Sequence, residues 1–423
     1  MAVGVAAGIG FLWPSLGLLG AWLGMVAEAV YHGPGPLVVD YAPWIIGMGF
    51  LLPTVLTRRF GQALREQSRP LWGFLAAYAV WVLLSSRFSP ISHGVLFDLG
   101  SLGAAAVNLV GLPLVVALRQ EWRTVFRLWA VVALGFGWYA VAALLFAHHG
   151  MAVPLGHHQV TALAGPFNKN TLGVLLWYGV GASLFLALVE DGPQRWIWAA
   201  FTLLLAALEL GTLARSSWIA AAVAAWLLVW LLRPRWGRIV TGVGVVALAG
   251  AAFAARHLAG NLVSRGLSGR PVLWEAALRF VGHGHWIFGA GFGNGTLAIQ
   301  PLVPPAFRGL SPTSTYLTLL VELGLPGLLL VGAFVAWAVG RLVRPDGTSL
   351  PEPERRGVLA LLVAALVQGF AETFYLGGVT FVHVYLAVLL GLAVVRGPGR
   401  EVRAAAEPVP PGSARSRSVG SDR

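Results

Sequence analysis

The sequence predicts an all-α, polytopic membrane helical bundle of about 12 transmembrane helices with one large outer loop. Of its 423 residues, 57% are hydrophobic and only 11% are charged, and the mean hydropathy is +0.75. Soluble domains are usually about 25% charged. Apolar runs of about 20 residues, the length that crosses a bilayer, follow one another along most of the chain. The composition therefore excludes a soluble enzyme with a single anchor.

The predicted helices are the apolar runs that lie between charged or Pro/Gly-rich breaks. Their spans are 5–31, 37–57, 71–86, 94–118, 124–147, 170–189, 196–213, 217–232, 239–255, 314–340, 357–376 and 379–395. Such helices pair their backbone groups internally, as hydrocarbon requires. We expect residues 1–395 to form the bundle. The first run reads as a retained signal anchor, because it lacks a charged n-region and a clear cleavage site.

The basic residues predict the orientation of the bundle. Most of the 29 Lys and Arg residues fall in segments that are cytoplasmic if the N-terminus is cytoplasmic, in agreement with the positive-inside rule. Both termini are therefore predicted to be cytoplasmic, and residues 396–423, rich in Pro, Ser, Gly and Arg, form a disordered basic tail. Charges placed between apolar spans argue against a nucleic-acid partner. The absence of Cys excludes disulfides, thiolate nucleophiles and Cys-ligated zinc.

The outer loop, residues 256–313, is the one long polar stretch between predicted spans, and loops of this length are usually functional. Ser268-Gly269-Arg270-Pro271 predicts a helix start with Pro in the first turn. Glu275 and Arg279 are spaced to pair on the wet face of this helix. The predicted apolar stripe of this short amphipathic helix comprises Leu273, Trp274, Ala277, Leu278 and Val281.

Arg215 and Arg270 are the strongest candidates for binding an anion. Arg215 lies in a turn between two spans, where a charge is costly; it is either an interfacial Arg paired with Glu209 or a carbonyl, or a phosphate ligand. Ser216 would add a hydroxyl donor at the start of the next helix. Arg270 is either a solvated loop residue or an anion ligand at a helix N-terminus. Together the two guanidinium groups could hold one lipid diphosphate, which predicts a lipid-linked substrate.

Three further groups of residues have a structural and a functional interpretation. The segment Asn168-Lys169-Asn170 is either a capped helix start or part of the same outer site. The spacing of His283 and His285 could suit a metal, but a solvated loop without a ligand set is favoured, and we expect no metal. The carboxylates Glu209, Glu322 and Glu372 lie in or near spans and serve either function or packing.

The glycine-rich run from Gly289 to Gly295 invites interpretation as a nucleotide-binding loop. Such a loop follows a strand and opens a helix of matching geometry. No predicted strand precedes this run, and no matching helix follows it. We therefore reject a nucleotide-binding role for the segment.

Taken in order, the motifs resemble the O-antigen ligase and O-antigen polymerase-like integral membrane family of bacterial surface-polysaccharide assembly, over about residues 160–390. The resemblance rests on Gly165-Pro-Phe-Asn168-Lys-Asn170, Thr212-Leu-Ala-Arg215-Ser216-Ser-Trp218, Ser268-Gly269-Arg270-Pro-Val-Leu-Trp274, Gly289-Ala-Gly291-Phe-Gly293-Asn and the segment from Ser314 through Tyr316 and Glu322 to Gly327. Each motif is moderately specific. Their order and their placement around one outer loop are more specific.

The resemblance implies a membrane glycosyltransferase of the bacterial plasma (inner) membrane with its active site on the outer face. Such an enzyme transfers a glycan from an undecaprenyl-diphosphate-linked donor to the hydroxyl of a glycan or lipid-linked acceptor, without a cofactor or metal. The resemblance implies that Arg215 and Arg270 contact the diphosphate. The residues expected to line the donor or glycan site with them are Asn168, Lys169, Asn170, Ser216, Thr313 and Tyr316.

One position departs from the ligase pattern. Ligases carry a His-Asn pair with a proposed catalytic His, whereas this chain has Thr313-Ser314. Thr cannot act as a general base near neutral pH. A polymerase-type reaction or an acceptor other than lipid A is therefore favoured. The base would come from His283, His285 or Glu275, or diphosphate departure would dominate the barrier and need little base.

Two other classes of protein remain open. A transporter or flippase for a lipid-linked or anionic substrate would use the many spans and the carboxylates within them, but the paired repeats typical of transporters are not evident. A non-catalytic partner in envelope assembly would need no diphosphate site. Tolerance of substitutions at Lys169, Arg215 and Arg270 would support the second class.

Overall fold

The computed structural model describes residues 49, 51–91, 95–147, 150–155, 158–164, 168–239, 241–242, 269–345, 347–374, 376 and 381–397. Helices make up nearly all regular structure in these residues, which confirms the all-α class. Within the described ranges, five helical segments are long and apolar enough to cross a membrane: Phe97–Arg119, Trp122–Ala147, Lys169–Val189, Arg215–Leu232 and Thr315–Val343. The total of about 12 spans stays a prediction.

The first half of the described chain is helical up to a hairpin. Its elements are α1 (Leu52–Val55), α2 (Arg58–Arg65), α3 (Arg69–Arg87), α4 (Val95–Ala106), a π-helical turn (Val107–Gly111), α5 (Leu112–Arg119) and α6 (Trp122–Ala147). Helices are thus confirmed at the predicted spans 71–86, 94–118 and 124–147. The predicted spans 5–31, most of 37–57 and almost all of 239–255 lie outside the described residues.

The second half contains the described part of the predicted outer loop, residues 269–313, and the remaining spans. It comprises α7 (Lys169–Val189), α8 (Gln194–Gly211), α9 (Arg215–Leu232), α10 (Arg270–Phe280), a π-helical turn (Val281–His285), α11 (Gly295–Ile299), 3-10 turns at Gln300–Leu302 and Pro305–Phe307, α12 (Thr315–Val343), α13 (Glu352–Gln368) and α14 (Phe381–Val394). The span predicted over 357–376 is too long. The helix ends at Gln368, and residues 369–374 form a turn instead.

A two-stranded antiparallel hairpin follows α6, where we predicted only a loop. Its strands are β1 (Met151–Leu155) and β2 (His158–Ala162), and Met151 pairs with Ala162 while Leu155 pairs with His158. β-Branched residues favour such short strands. Strands of five residues are too short to stand out as apolar runs, so the sequence pattern does not predict the hairpin.

The core is centred on α7, which packs against α6, α8, α9 and α13. Two glycines of α7 allow these close approaches. A Cβ atom on Gly179 would lie 2.4 Å from the Cβ of Ala133, and one on Gly181 would lie 2.4 Å from Cδ2 of Leu361. Small residues at such contacts are typical of membrane helices. Away from the core, large apolar side chains such as Leu203 on α8 are exposed, as expected of a surface that faces lipid.

Charged residues tie together one end of the bundle. Arg123 Nε donates to Glu354 Oε1 at 2.7 Å, and Arg127 Nη2 donates to Glu190 Oε1 at 2.7 Å. Arg123 Nη1 also lies 3.3 Å from Glu190 Oε2. These pairs join the start of α6, the end of α7 and the start of α13, so α7 runs antiparallel to both neighbours. The first residue of α7, Lys169, therefore lies at the opposite end of the bundle.

The helix predicted in the outer loop is present as α10. It begins at Arg270 with Pro271 in its first turn, as the sequence predicts. Glu275 Oε1 and Arg279 Nη2 are 2.5 Å apart on the exposed face, which confirms the predicted pair. Its preceding residue, Gly269, has φ +78°, a conformation that favours glycine.

The buried face of α10 differs from the predicted stripe. The buried residues are Leu273, Ala276, Ala277 and Phe280, spaced i, i+3, i+4 and i+7. Leu278, predicted to be buried, is 55% exposed. The buried residues pack with Ala290, Ile299 and Val321. Contact with α11 and α12 therefore decides which face of α10 is buried, and this face is rotated about the helix axis relative to the predicted stripe.

The glycine-rich segment packs against a break in α12. Inside α12, Gly324 has non-helical dihedral angles, with φ +67° and ψ −175°. Leu325 N donates to the carbonyl of Trp286 at 2.7 Å, and Ala290 N donates to the carbonyl of Val321 at 2.7 Å. The segment therefore provides packing and backbone hydrogen bonds at the break in α12.

We expect Gly324→Ala to destabilise the protein strongly. An added Cβ would lie 1.9 Å from the carbonyl oxygen of Ile287, and the positive φ would add about 1–3 kcal/mol of backbone strain. The measurement is thermal unfolding of the purified protein in detergent. Gly332→Ala on the same helix is the matched control, because a Cβ there meets nothing within 4 Å. Equal unfolding temperatures for the two variants would contradict the argument.

Candidate functional site

A group of charged residues lies at the end of the bundle opposite to the Arg123–Glu354 pair. Its centre is Glu372, in the turn after α13. Arg270 Nη2 donates to Glu372 Oε1 at 3.1 Å, and Ser216 Oγ donates to the same oxygen at 3.2 Å. The side chains of Arg270 and Glu372 are each only 17% exposed. We call Lys169, Arg215, Ser216, Arg270 and Glu372 the Glu372 cluster.

Three helices begin with the cations of this cluster. Lys169 is the first residue of α7, Arg215 the first of α9 and Arg270 the first of α10. The N-terminus of a helix carries unpaired N–H groups and a partial positive charge, which favour a bound anion. The cluster therefore combines three cationic side chains and three helix N-termini with a single carboxylate, Glu372. The excess of positive charge suits an anionic group.

Lys169 lies close enough to Arg215, Arg270 and Glu372 for their charges to act on its ammonium group. Its Nζ donates to the carbonyl of Leu213 at 3.2 Å, which holds the side chain beside the start of α9. The residue before it, Asn168, caps the helix, since its Oδ1 accepts from Asn170 N at 2.9 Å. Asn168 thus fits the structural interpretation, while Lys169 belongs to the cluster.

Arg215 is exposed and makes no hydrogen bond or ion pair with any described residue. The alternative in which it pairs with Glu209 or a carbonyl is therefore not seen in this part of the chain. Glu209 is buried in α8, and its backbone carbonyl accepts from Trp218 Nε1 at 2.9 Å. The guanidinium donors of Arg215 thus remain available to a ligand at the surface of the cluster.

The electrostatic environment of Glu372 has two opposing parts. Burial raises the pKa of its carboxyl above the usual range, while Arg270, the hydroxyl of Ser216 and Lys169 lower it in that order. The burial effect is the largest, so the pKa stays raised. A carboxylate with a raised pKa binds a proton more readily than an exposed one, and this is what a general base requires.

The start of α12 fixes the backbone of Glu372. Thr315 N donates to the carbonyls of Gly369 and Glu372, at 2.8 and 2.9 Å. Its Oγ1 donates to the Glu372 carbonyl at 2.8 Å and accepts from Phe374 N at 2.9 Å. Because Thr315 lies two residues after Thr313, the segment aligned with the ligase His-Asn pair lies beside the Glu372 turn.

A second set of hydrogen bonds holds the end of α13 in place. Gln368 Nε2 donates to Ser217 Oγ at 2.9 Å, and Gln368 Oε1 accepts from the indole of Trp177. Gln368 and Ser217 are both buried. The bonds connect α7, α9 and α13 directly below the cluster, so the positions of Ser216 and Glu372 are set by a shared polar core.

Thr313 and Tyr316 lie near the cluster but make no hydrogen bond with it, and the buried Thr313 Oγ1 has no hydrogen-bond partner among the described residues. Thr313 has φ +51°, which is unusual for a β-branched residue. Its N donates to Ser311 Oγ at 3.3 Å. Tyr316 OH donates to the carbonyl of Leu366 at 2.6 Å, so its hydroxyl is directed to α13.

The other candidate bases are not brought to the cluster. No hydrogen bond or ion pair joins Glu275, His283 or His285 to the Glu372 cluster. Glu275 pairs with Arg279 on the exposed face of α10, and the ring of His285 stacks on Phe280 with 4.3 Å between centroids. Among the described residues, no group of three or more His, Asp or Glu is placed to hold a metal ion.

The third intramembrane carboxylate has a packing role. Glu322 is fully buried in α12, and its Oε1 accepts from Gly295 N at 3.0 Å. This bond attaches the start of α11 to α12. Of the three carboxylates that the sequence singled out, only Glu372 belongs to the cluster.

Comparison with known proteins bears on the same segment. Residues 199–332 match the family model described as O-antigen ligase. Residues 199–332 are thus similar to the O-antigen ligase family, and we call them the O-antigen ligase-like domain. The matched residues include Arg215, Ser216 and Arg270, so the resemblance read from the motifs over 160–390 is confirmed over the narrower range 199–332. No curated protein matches the chain.

One chain of a solved structure described as "Structural coordination of polymerization and crosslinking by a peptidoglycan synthase complex" is also similar. It shares 15% identity, with a TM-score of 0.39, and the match covers 78% of this chain and 97% of that chain.

Two members of the Glu372 cluster, Lys169 and Glu372, lie outside the matched range. In the sequence, Lys169 precedes the O-antigen ligase-like domain and Glu372 follows it. The fold brings Glu372 into contact with Arg270. The sequence signalled Glu372 only as a carboxylate close to a span. Its partner, Arg270, could not be predicted, because a helix predicted over 357–376 leaves no turn that could bring residue 372 to α10.

Proposed function

We propose that this protein is a membrane glycosyltransferase that transfers a glycan from an undecaprenyl-diphosphate-linked donor to an acceptor hydroxyl. The observation that carries the proposal is the convergence of Lys169, Arg215 and Arg270 around Glu372 at one end of the bundle. The O-antigen ligase-like domain supports the reaction class. In this proposal the cluster faces the outer side of the bacterial plasma membrane, where the positive-inside rule places it.

The diphosphate of the donor would bind the cations of the cluster. Arg215 offers its guanidinium at the surface, and Arg270 and Lys169 lie deeper. As the glycosidic bond breaks, negative charge grows on the leaving diphosphate. Donors already in position for that charge stabilise the transition state more than the ground state. Arg215 and Arg270 thereby lower the barrier to diphosphate departure, and Lys169 adds a third positive charge.

Glu372 would be the general base of the transfer. The acceptor oxygen forms a bond to the anomeric carbon while the bond from that carbon to the diphosphate oxygen breaks. The hydroxyl proton moves to the Glu372 carboxylate, and the leaving diphosphate keeps the electron pair. The protein thus needs no His at the position of Thr313, because the neighbouring turn supplies a carboxylate.

This assignment favours a polymerase-type reaction or an acceptor other than lipid A. Thr313-Ser314 replaces the pair that ligases use, and the base now comes from a different element. Asn170, Ser216, Thr313 and Tyr316 would contact the glycan or the acceptor at the rim of the cluster. Glu275, His283 and His285, the bases that the sequence offered, form no hydrogen bond or ion pair with the cluster, so Glu372 takes the role of base in this proposal.

The test is a transfer assay with the purified protein in nanodiscs and an undecaprenyl-diphosphate-linked oligosaccharide, with and without added lipid A-core. We expect a ladder of products without lipid A-core, because the departure at Thr313 favours polymerisation. A single transfer that requires lipid A-core would restore the ligase assignment. A donor that binds without turnover in the wild type, together with full cellular function of Arg215→Ala, would favour a transporter or an assembly partner.

A further inference from the structure

A second basic site lies at the other end of the bundle, where α12 ends and α13 begins. A cavity of about 520 Å³ is formed there by the end of α12, the loop that follows it, the start of α3 and the residues after α14. We call it the basic cavity. Its lining includes three arginines, one aromatic residue and two hydroxyl-bearing residues: Arg341, Arg344, Arg396, Trp337, Ser68 and Thr348.

Arg341 forms the fixed wall of the basic cavity. Its Nε donates to the carbonyl of Gly347 at 2.5 Å, and its Nη1 donates to the carbonyl of Val394 at 3.0 Å. Its guanidinium carbon lies 5.6 Å from the centre of the Trp337 ring. These contacts hold the side chain in one orientation, so the positive charge is in place before any ligand binds.

Arg344 and Arg396 add two exposed positive charges. Neither makes an ion pair with a described residue, and no carboxylate of the described chain lines the cavity. Arg396 lies close enough to act electrostatically on Arg341. Like charges gathered in one cavity repel one another, and this repulsion lowers the stability of the folded protein unless a bound anion offsets it.

Two residues that line the same cavity, Ser68 and Thr348, have buried hydroxyl groups. Ser68 Oγ and Thr348 Oγ1 are buried and have no hydrogen-bond partner among the described residues. Ser68 is only 6% exposed. A buried polar group without a partner costs free energy, which a hydrogen bond to a ligand recovers. The three cations are groups that recognise a phosphate, and the two hydroxyl groups lie next to them without a partner among the described residues.

We propose that the basic cavity binds the phosphate of an anionic phospholipid headgroup. The cavity opens at the end of the bundle that carries the Arg123–Glu354 pair, which the positive-inside rule places at the cytoplasmic leaflet. Basic pockets between membrane helices on that side commonly bind anionic headgroups. Trp337 provides an aromatic wall of the kind found at membrane interfaces. This site is separate from the Glu372 cluster and does not depend on the proposed transferase activity.

The experiment compares phospholipid retained by the full-length protein, measured by native mass spectrometry from nanodiscs of phosphatidylglycerol and phosphatidylcholine. We expect wild type to retain phosphatidylglycerol selectively. The double variant Arg344→Gln/Arg396→Gln should lose that retention by about 10-fold or more, since each basic residue near an anionic headgroup contributes to binding. Both side chains are exposed, so the fold should tolerate the change, which thermal unfolding checks.

Arg58→Gln/Arg59→Gln is the matched control, because it removes the same charge from exposed residues of α2 that do not line the cavity. The control should keep the wild-type retention. An equal loss in both double variants would overturn the proposal in favour of diffuse surface charge. Full competition by millimolar inorganic phosphate, with no preference among lipids, would overturn the lipid assignment in favour of a free-phosphate site.

Discussion

Replacing Arg270 with alanine is expected to slow glycan transfer about 100- to 1,000-fold, as when one donor to a developing anion is removed. Arg270 is mostly buried and is held by Glu372 at the first residue of α10. In the proposed reaction its charge is therefore in place for the leaving diphosphate. The measurement is the initial transfer rate of purified wild type and Arg270→Ala in nanodiscs at saturating donor.

Arg279→Ala is the control for this prediction. Arg279 lies on the same helix and pairs with Glu275 on the exposed face, so its loss removes a charge without touching the cluster. It should keep nearly the wild-type rate. Arg270→Lys should recover only part of the lost rate, because an ammonium cannot provide the planar fork of a guanidinium. A wild-type rate for a folded Arg270→Ala would contradict the diphosphate role.

Most of the helices could be predicted from apolar runs alone. The predicted spans 124–147, 170–189 and 217–232 differ from α6, α7 and α9 by two residues or fewer at each end. These segments are long and uniformly apolar, so hydrocarbon requires a helix. At α13 the prediction is wrong, because an apolar segment there does not continue the helix. Residues 369–374 are apolar enough to continue a helix, but Thr315 binds the carbonyls of Gly369 and Glu372 from another element.

The candidate site could be predicted in part, from residue types. Lys169, Arg215 and Arg270 stand out because cations are rare and costly beside membrane spans. Their convergence depends on how α7, α9 and α10 begin at one end of the bundle, and the spacing of residues in the sequence contains no such information. Leu278 shows the same limit, since only contact with α11 and α12 decides which face of α10 is buried.

Glu372→Gln is expected to slow glycan transfer about 100- to 10,000-fold, the range that general-base catalysis contributes. The substitution is nearly isosteric. The amide oxygen of Gln can still accept hydrogen bonds from Arg270 and Ser216, so their positions should change little. What the variant loses is the capacity to take the proton of the acceptor hydroxyl. Initial rates in nanodiscs at matched donor and acceptor concentrations measure the effect.

The pH dependence distinguishes a base from a residue that only positions Arg270. Burial raises the pKa of the Glu372 carboxyl. The wild-type rate should therefore fall as the pH drops through this raised pKa, because the protonated carboxyl cannot accept a proton. In Glu372→Gln the residual rate should lose this acidic limb. A variant with a wild-type rate and an unchanged acidic limb would show that Glu372 positions Arg270 and that another group is the base.

Stability provides the control for Glu372→Gln. A carboxyl whose pKa is raised on folding contributes stability at low pH that is lost as the pH rises through the folded value. The neutral amide of Gln avoids the free energy that burial of a charged carboxylate requires. Glu372→Gln should therefore unfold no earlier than wild type at neutral pH, so a slow variant is not an unfolded one. Glu275→Gln, an equal change on the exposed face of α10, should leave both the rate and its pH profile unchanged.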